Sequence, residues 1–186
     1  MACPQCGIQT PHGERCGLCL KHPPYFSQTI SLFRYDFPVN KIIHAFKYGH
    51  QLAVGSWLAD LLAEKLTIAA DIIIPLPLHP DRLCERGFNQ SCEIASVLGN
   101  RLNLPVHRSI VQRVRNTPHQ TGQPLKNRQK NVKAAFESHA DLRGKTILLI
   151  DDVMTTGATL NECARTLIEQ GAKRVVTAVA ARAQKD

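Results

Sequence analysis

Thr146-Ile-Leu-Leu-Ile-Asp-Asp-Val-Met-Thr-Thr-Gly-Ala-Thr-Leu160 decides how this chain is read. Ile147 to Ile150 are an unbroken apolar run, the pattern of a strand buried on both faces of a parallel sheet. Asp151 and Asp152 follow where that run stops. The spacing of Leu160, Cys163, Ala164, Leu167 and Ile168 then predicts a helix. Ligands of open α/β sheets bind outside the carboxyl ends of the strands, which is where this turn falls. Its backbone N–H groups and the hydroxyls of Thr155, Thr156 and Thr159 make a phosphate cradle at a helix N-terminus. Gly157 permits a tight turn and close approach of a ligand. The carboxylates suit diol hydroxyls or, through water, a divalent metal. Helix capping alone needs one Asp or Thr, not the whole string.

A phosphate beside a diol describes ribose 5-phosphate. The segment resembles the phosphoribosyl-pyrophosphate (PRPP) binding loop of type I phosphoribosyltransferases. A Walker B reading fails for want of a Walker A loop: Gly144-Lys145-Thr146 has His139 where the first glycine belongs, and it precedes a strand.

Seven cysteines fall into two classes. Cys3-Pro-Gln-Cys6 and Cys16-Gly-Leu-Cys19 are paired C-x-x-C turns, the spacing of a closed, tetrahedral, structural zinc site. Gly7 and Gly17 are placed to ease those turns. Disulfides are the rival, but nothing in the chain points to an oxidising compartment. A closed site offers no open coordination position, so no catalysis is expected there. Cys84, Cys92 and Cys163 are expected to stay free.

The formal charge is +8 over 186 residues, and its location matters. Between Ile94 and Phe136 there is no Asp or Glu, yet Arg101, Arg108, Arg113, Arg115, Lys126, Arg128, Lys130 and Lys133 lie there. Fifteen basic and fifteen acidic residues balance elsewhere. The excess implies a polyanionic partner at one segment, pyrophosphate or nucleic acid. Residues 94–135 contain no aromatic, which argues against a stacking platform for single-stranded DNA and leaves phosphate contact open. No apolar run reaches the roughly 18 residues of a membrane span, so a cytoplasmic protein without membrane insertion is expected.

Along the chain, residues 1–24 read as the zinc knuckle, ending at His22-Pro23-Pro24. Residues 25–186 read as the main α/β domain. Helices are expected from Pro38 and from about Leu52, and a short buried strand at Asp71-Ile-Ile-Ile-Pro75. A polar loop over 79–90 and a helix carrying Ile94, Ala95, Leu98 and Leu102 follow. One or two short strands are expected within 105–114, and a long mobile loop at about 115–131. A strand over Arg174–Ala181 closes a β-α-β unit.

The joint pattern resembles the competence protein F (ComF) family across essentially the full chain. Four segments carry it: the Cys3/Cys6/Cys16/Cys19 knuckle; Ile74-Pro-Leu-Pro-Leu-His79 with Arg82 and Arg86-Gly-Phe-Asn-Gln90; Arg115-Asn-Thr-Pro-His-Gln-Thr-Gly122 with Arg128 and Asn131; and Ile150 to Thr159. The resemblance implies a type I phosphoribosyltransferase fold, a central mostly parallel sheet flanked by helices. A small hood at about 25–37 would carry Phe33 and Tyr35 over an acceptor base. It implies PRPP bound with Mg²⁺ by Asp151, Asp152, Val153, Met154, Thr155, Thr156, Gly157, Ala158 and Thr159. Asp151 and Asp152 would be the catalytic pair. Arg82, Arg86, Arg115 and Lys47 would hold pyrophosphate. It further implies a role in natural transformation and DNA uptake, beside a helicase partner. A non-catalytic PRPP sensor, or a single-stranded-DNA-binding scaffold in the uptake machinery, is the alternative role.

Overall fold

The computed structural model of the chain describes residues 1–49, 51–115 and 132–184. At its centre is a four-stranded parallel sheet of order β1-β6-β5-β2. These strands are β1 (Gln28–Arg34), β2 (Ile72–Pro75), β5 (Thr146–Met154) and β6 (Arg174–Arg182). An antiparallel pair, β3 (Gln112–Arg113) and β4 (Phe136–Glu137), lies apart from it. The helices are α1 (Gly17–Lys21), α2 (Val39–Tyr48), α3 (Leu52–Lys65), α4 (Pro80–Arg86), α5 (Gln90–Leu102) and α6 (Ala158–Glu169).

The inner strands β5 and β6 explain why the sheet is parallel and covered. Alternate residues face opposite ways and both sets are apolar. Ile147, Leu149, Val175 and Val179 face α6 through Leu160, Cys163, Ala164 and Leu167. Leu148, Ile150, Val176 and Ala178 face Ile43 and Phe46 of α2, Leu58 and Leu62 of α3, and Ile94 and Leu98 of α5. Each such Leu, Ile or Phe contributes about 1.5–3 kcal/mol by leaving water. A one-residue slip would exchange the two sets, so burial on both sides pins the register.

Three expectations are corrected by the structure. The β5 strand does not stop at Ile150: its ladder with β6 runs on through Asp151↔Val179, Val153↔Ala181 and Met154↔Arg182. The carboxylates are therefore held by strand backbone, not by a loop. Residues 28–34, expected in a hood, form the outer strand of the main sheet, with Gln28↔Val176 through Arg34↔Arg182. Their Phe33 stacks on Trp57 with ring centroids 5.7 Å apart. The polar stretch 79–90 contains α4, capped by the His79 side chain accepting from the Asp81 amide. The long loop expected at about 115–131 lies, beyond Arg115, outside the described residues.

Candidate functional site

Asp151 and Asp152 are consecutive on one strand, so their side chains leave on opposite sides and meet different partners. Asp152 is 6% exposed, and its Oδ2 lies 2.9 Å from Lys47 Nζ of α2. Asp151 Oδ1 accepts from Ser91 Oγ of α5 at 3.0 Å and from the Asp152 amide at 2.9 Å. Helix α5 is fixed at this edge by Asn89, whose Oδ1 caps the Ser91 amide and whose Nδ2 donates to Leu76 O, just past β2.

Electrostatics single out Asp151. Burial, then the Asp152 charge, raise the Asp151 carboxyl to about 7, against the pull of Lys47 and the donors from Asp152 and Ser91. Burial opposes the charge on Lys47, but Asp152, with Asp151 behind it, outweighs burial and holds its ammonium above the usual lysine range. Asp151 is thus poised to exchange a proton near neutrality, beside an ion pair.

The turn beyond β5 leads directly into α6. Gly157 is the N-cap of α6 at φ +80°, and Thr156 Oγ1 accepts from the Ala158 amide at 3.3 Å. A Cβ on Gly157 would sit 2.5 Å from Met154 Cε, so a side chain here would have to push that methyl group aside as well as adopt a positive φ. Thr155 is exposed, while Thr156 and Thr159 are partly buried. The Met154 side chain is buried in one core and closes on Gly157 from beneath, while Val153 packs against the opposite core.

Of the cations assigned to pyrophosphate, Lys47 and Arg86 come together. Arg86 lies over the Tyr48 ring at 5.3 Å, donates to Tyr48 Oη at 3.3 Å and to Gln90 Oε1 at 3.1 Å. Its charge acts on Lys47. Arg82, from α4, acts instead on Arg113. Arg115 is exposed and donates to Lys133 O at 2.8 Å, at the border of the described residues.

Two residues at this site have no distinguishing signal in the sequence. Arg113 was one of eight cations; in the fold it lies over the Phe136 ring at 5.7 Å. Burial and the neighbouring Arg82 hold it below the usual arginine range, with Asp151 pulling the other way. Tyr48, the last residue of α2, holds the Arg86 guanidinium by ring and hydroxyl. Arg101, by contrast, pairs with Asp60 at 2.7 Å on the outer side of α3 and α5 and does not join the cluster.

The knuckle is a second centre. Cys3, Cys6, Cys16 and Cys19 bring four sulfurs within 4.8 Å of one another, with Cys6 and Cys16 Sγ 3.6 Å apart. Sulfurs around a tetrahedral zinc stand about 3.8 Å apart, so the donor set fits that ion. Burial opposes ionisation of Cys3, but the amides of Cys16, Cys6 and Gln5 outweigh it and hold its thiol at about 7. Gly7 adopts φ +71°, as the turn after Cys6 requires, whereas Gly17 is the first residue of α1 and needs no such freedom. Cys84 is exposed, Cys92 partly buried and Cys163 buried; none is in a disulfide. Among the described residues no helix is long and apolar enough to cross a membrane.

The strand-borne carboxylate pair and the glycine-hinged hydroxyl turn both lie in the part of the chain that has the phosphoribosyl transferase domain. The phosphoribosyl transferase domain model matches residues 88–186. The DNA utilization protein YhgH of Salmonella typhimurium is 32% identical over 182 residues, covering 93% of this chain and 80% of its own. Competence protein F of Haemophilus influenzae is 33% identical over 185 residues, covering 93% and 81%. Competence protein ComFC of Bacillus subtilis is 27% identical over 179 residues, covering 91% and 72%. Among solved structures, purine phosphoribosyltransferase from Pyrococcus horikoshii Ot3 is similar at a TM-score of 0.44 and 15% identity, over 85% of this chain and 88% of that one. The chain belongs to the competence protein F family of phosphoribosyl transferase domain proteins.

Proposed function

We propose that this chain binds PRPP with Mg²⁺ at residues 151–159 and transfers or presents its phosphoribosyl group during the use of incoming DNA. The observation that carries the reading is the continuity of Asp151 and Asp152 with the Gly157-hinged turn at the start of α6. The names of the relatives, competence and DNA utilization proteins, support the biological setting.

Displacement at the anomeric carbon of PRPP builds positive charge on the ribose and negative charge on departing pyrophosphate. The backbone amides and hydroxyls of Thr155, Thr156, Gly157, Ala158 and Thr159 would hold the 5-phosphate at the helix N-terminus. Asp151 and Asp152 would hold the ribose hydroxyls. Asp152 carries the charge balanced by Lys47, and Asp151, with its carboxyl near 7, serves as acid or base. Arg82, Arg86, Arg115 and Lys47, joined by Arg113, would neutralise pyrophosphate. Mg²⁺ bound with PRPP supplies further charge neutralisation on the leaving group. Zinc in the four-cysteine knuckle is structural. The segment 94–136, with its eight cations, gives the chain a means to contact the phosphates of single-stranded DNA. A helicase partner in the cytoplasm completes the setting that the family resemblance implies.

The test is pyrophosphate release from labelled PRPP and Mg²⁺, with free bases and single-stranded DNA offered as acceptors. Release dependent on an acceptor and on Asp151 supports transfer. Tight PRPP binding with no release from any acceptor contradicts transfer and leaves a sensor.

A further inference from the structure

Arg182 ends β6 and is 2% exposed, although it is a charged residue. Its Nε donates to Cys6 O at 2.6 Å. Its Nη1 donates to Met154 O at 3.0 Å and to Ala183 O at 2.6 Å, and also to Thr155 O. One rigid, planar cation therefore bonds both the backbone of the cysteine knuckle and the backbone where the phosphate turn begins. The knuckle backbone also lies beside the Arg182 stem: a Cβ on Gly7 would meet Arg182 Cγ at 3.5 Å, an ordinary contact distance. Thr29 adds a parallel link, donating to Gln5 O at 2.7 Å while its hydroxyl lies 3.9 Å from Met154 Sδ.

Arg182 enters no ion pair among the described residues. Carbonyl oxygens accept from its Nε and Nη1 but bring no net charge, and a buried cation without a counter-charge is costly. Among the described residues, the cysteines of the knuckle are the groups whose negative charge acts on Arg182. Four thiolates around one divalent ion carry a double negative charge, and Cys6, whose carbonyl accepts from Arg182, is one of them.

We propose that Arg182 is a positioning residue that couples metal occupancy of the knuckle to the geometry of the phosphate turn. The metal-loaded thiolate cluster is its counter-charge. This rests on the reading of residues 155–159 as the phosphate site. Loss of the metal removes the anionic partner and frees the Cys6 backbone. Arg182 then loses its anchor, and the Met154 and Thr155 carbonyls lose theirs.

Hydrogen exchange on the full chain, zinc-loaded and after chelation in reducing buffer, tests this. Peptides spanning 151–158 are compared with the knuckle, 3–19, and with α5, 91–99. The expected result is exchange roughly tenfold faster in 151–158 and in 3–19 after zinc removal, with 91–99 unchanged. Opening confined to 3–19 overturns the coupling. Equal opening of all three also overturns it, because the knuckle then holds the whole fold. As a second arm, zinc-loaded Arg182→Lys keeps the charge but lacks the planar fork. Its 151–158 peptides should exchange faster than wild type and no longer respond to zinc; wild-type behaviour contradicts the proposal. A separate titration with PRPP and Mg²⁺ distinguishes the two readings: coupled exchange without PRPP binding would sink the phosphate assignment and leave the coupling standing.

Discussion

Lys47 Nζ lies 2.9 Å from Asp152 Oδ2, joining α2 to the central strand β5 through a pair whose side chains are 19% and 9% exposed. Helix α2, which buries Ile43 and Phe46 in the core, thus also delivers the cation that balances the more buried carboxylate. Removing one member leaves the other buried and unpaired, which is worse than removing both.

Lys47→Met should destabilise the chain by about 3 kcal/mol, and Lys47→Met with Asp152→Asn should recover most of that loss. Urea unfolding of the two variants measures it. Equal stability of Lys47→Met and wild type would mean the pair is solvated.

Asp151 sets a pH dependence. Its carboxyl rises from 3.8 to about 7 on folding, so the fold favours the neutral form. The resulting stabilisation is fully present below about pH 4 and is lost as pH rises to about 7. The loss amounts to no more than roughly 4 kcal/mol. Asp151→Asn should lack it. Calorimetric melting of both proteins over this range should show the variant gaining on wild type as pH rises. Subtracting one from the other cancels the titration of the cysteines. A constant difference refutes the raised carboxyl.

Gly157→Ala should cost about 1 kcal/mol, since the position requires positive φ. Its Cβ must also displace the Met154 methyl group. Affinity for PRPP should fall by more than tenfold, because the turn itself must shift, which titration calorimetry can measure. Unaltered affinity would show that the turn does not cradle the phosphate.

The knuckle should carry one zinc per chain by atomic absorption. Cys6→Ser should weaken zinc binding strongly, out of about 10–16 kcal/mol available in comparable zinc peptides. Cys84→Ser, at an exposed cysteine outside the cluster, should leave zinc content unchanged. A zinc-free wild type that melts at the temperature of the loaded protein would contradict a structural role.

The residues that announced the site were those whose chemistry is local. Two C-x-x-C turns and a strand running into Asp151, Asp152 and Gly157 carry their meaning in spacing alone. The helices followed from apolar periodicity, as α3 and α5 show. Contacts made across the fold were not legible. The Arg182 bonds to Cys6 span 176 positions, and nothing beside Arg182 in the chain sets it apart. The continuation of β5 past Ile150 was hidden because carboxylates in a strand read as its end, while the ladder with β6 holds them there. Residues 28–34 looked detachable because their partner, β6, lies at the far end of the chain.

The most direct measurement of the central claim is calorimetric titration of PRPP with Mg²⁺ into wild type and into Asp151→Asn/Asp152→Asn, with circular dichroism confirming that both are folded. Saturable binding to wild type, lost in the folded double variant, is the expected result. Equal affinity in the two proteins, or no binding to wild type, would contradict the assignment of Asp151 and Asp152 to the ribose phosphate.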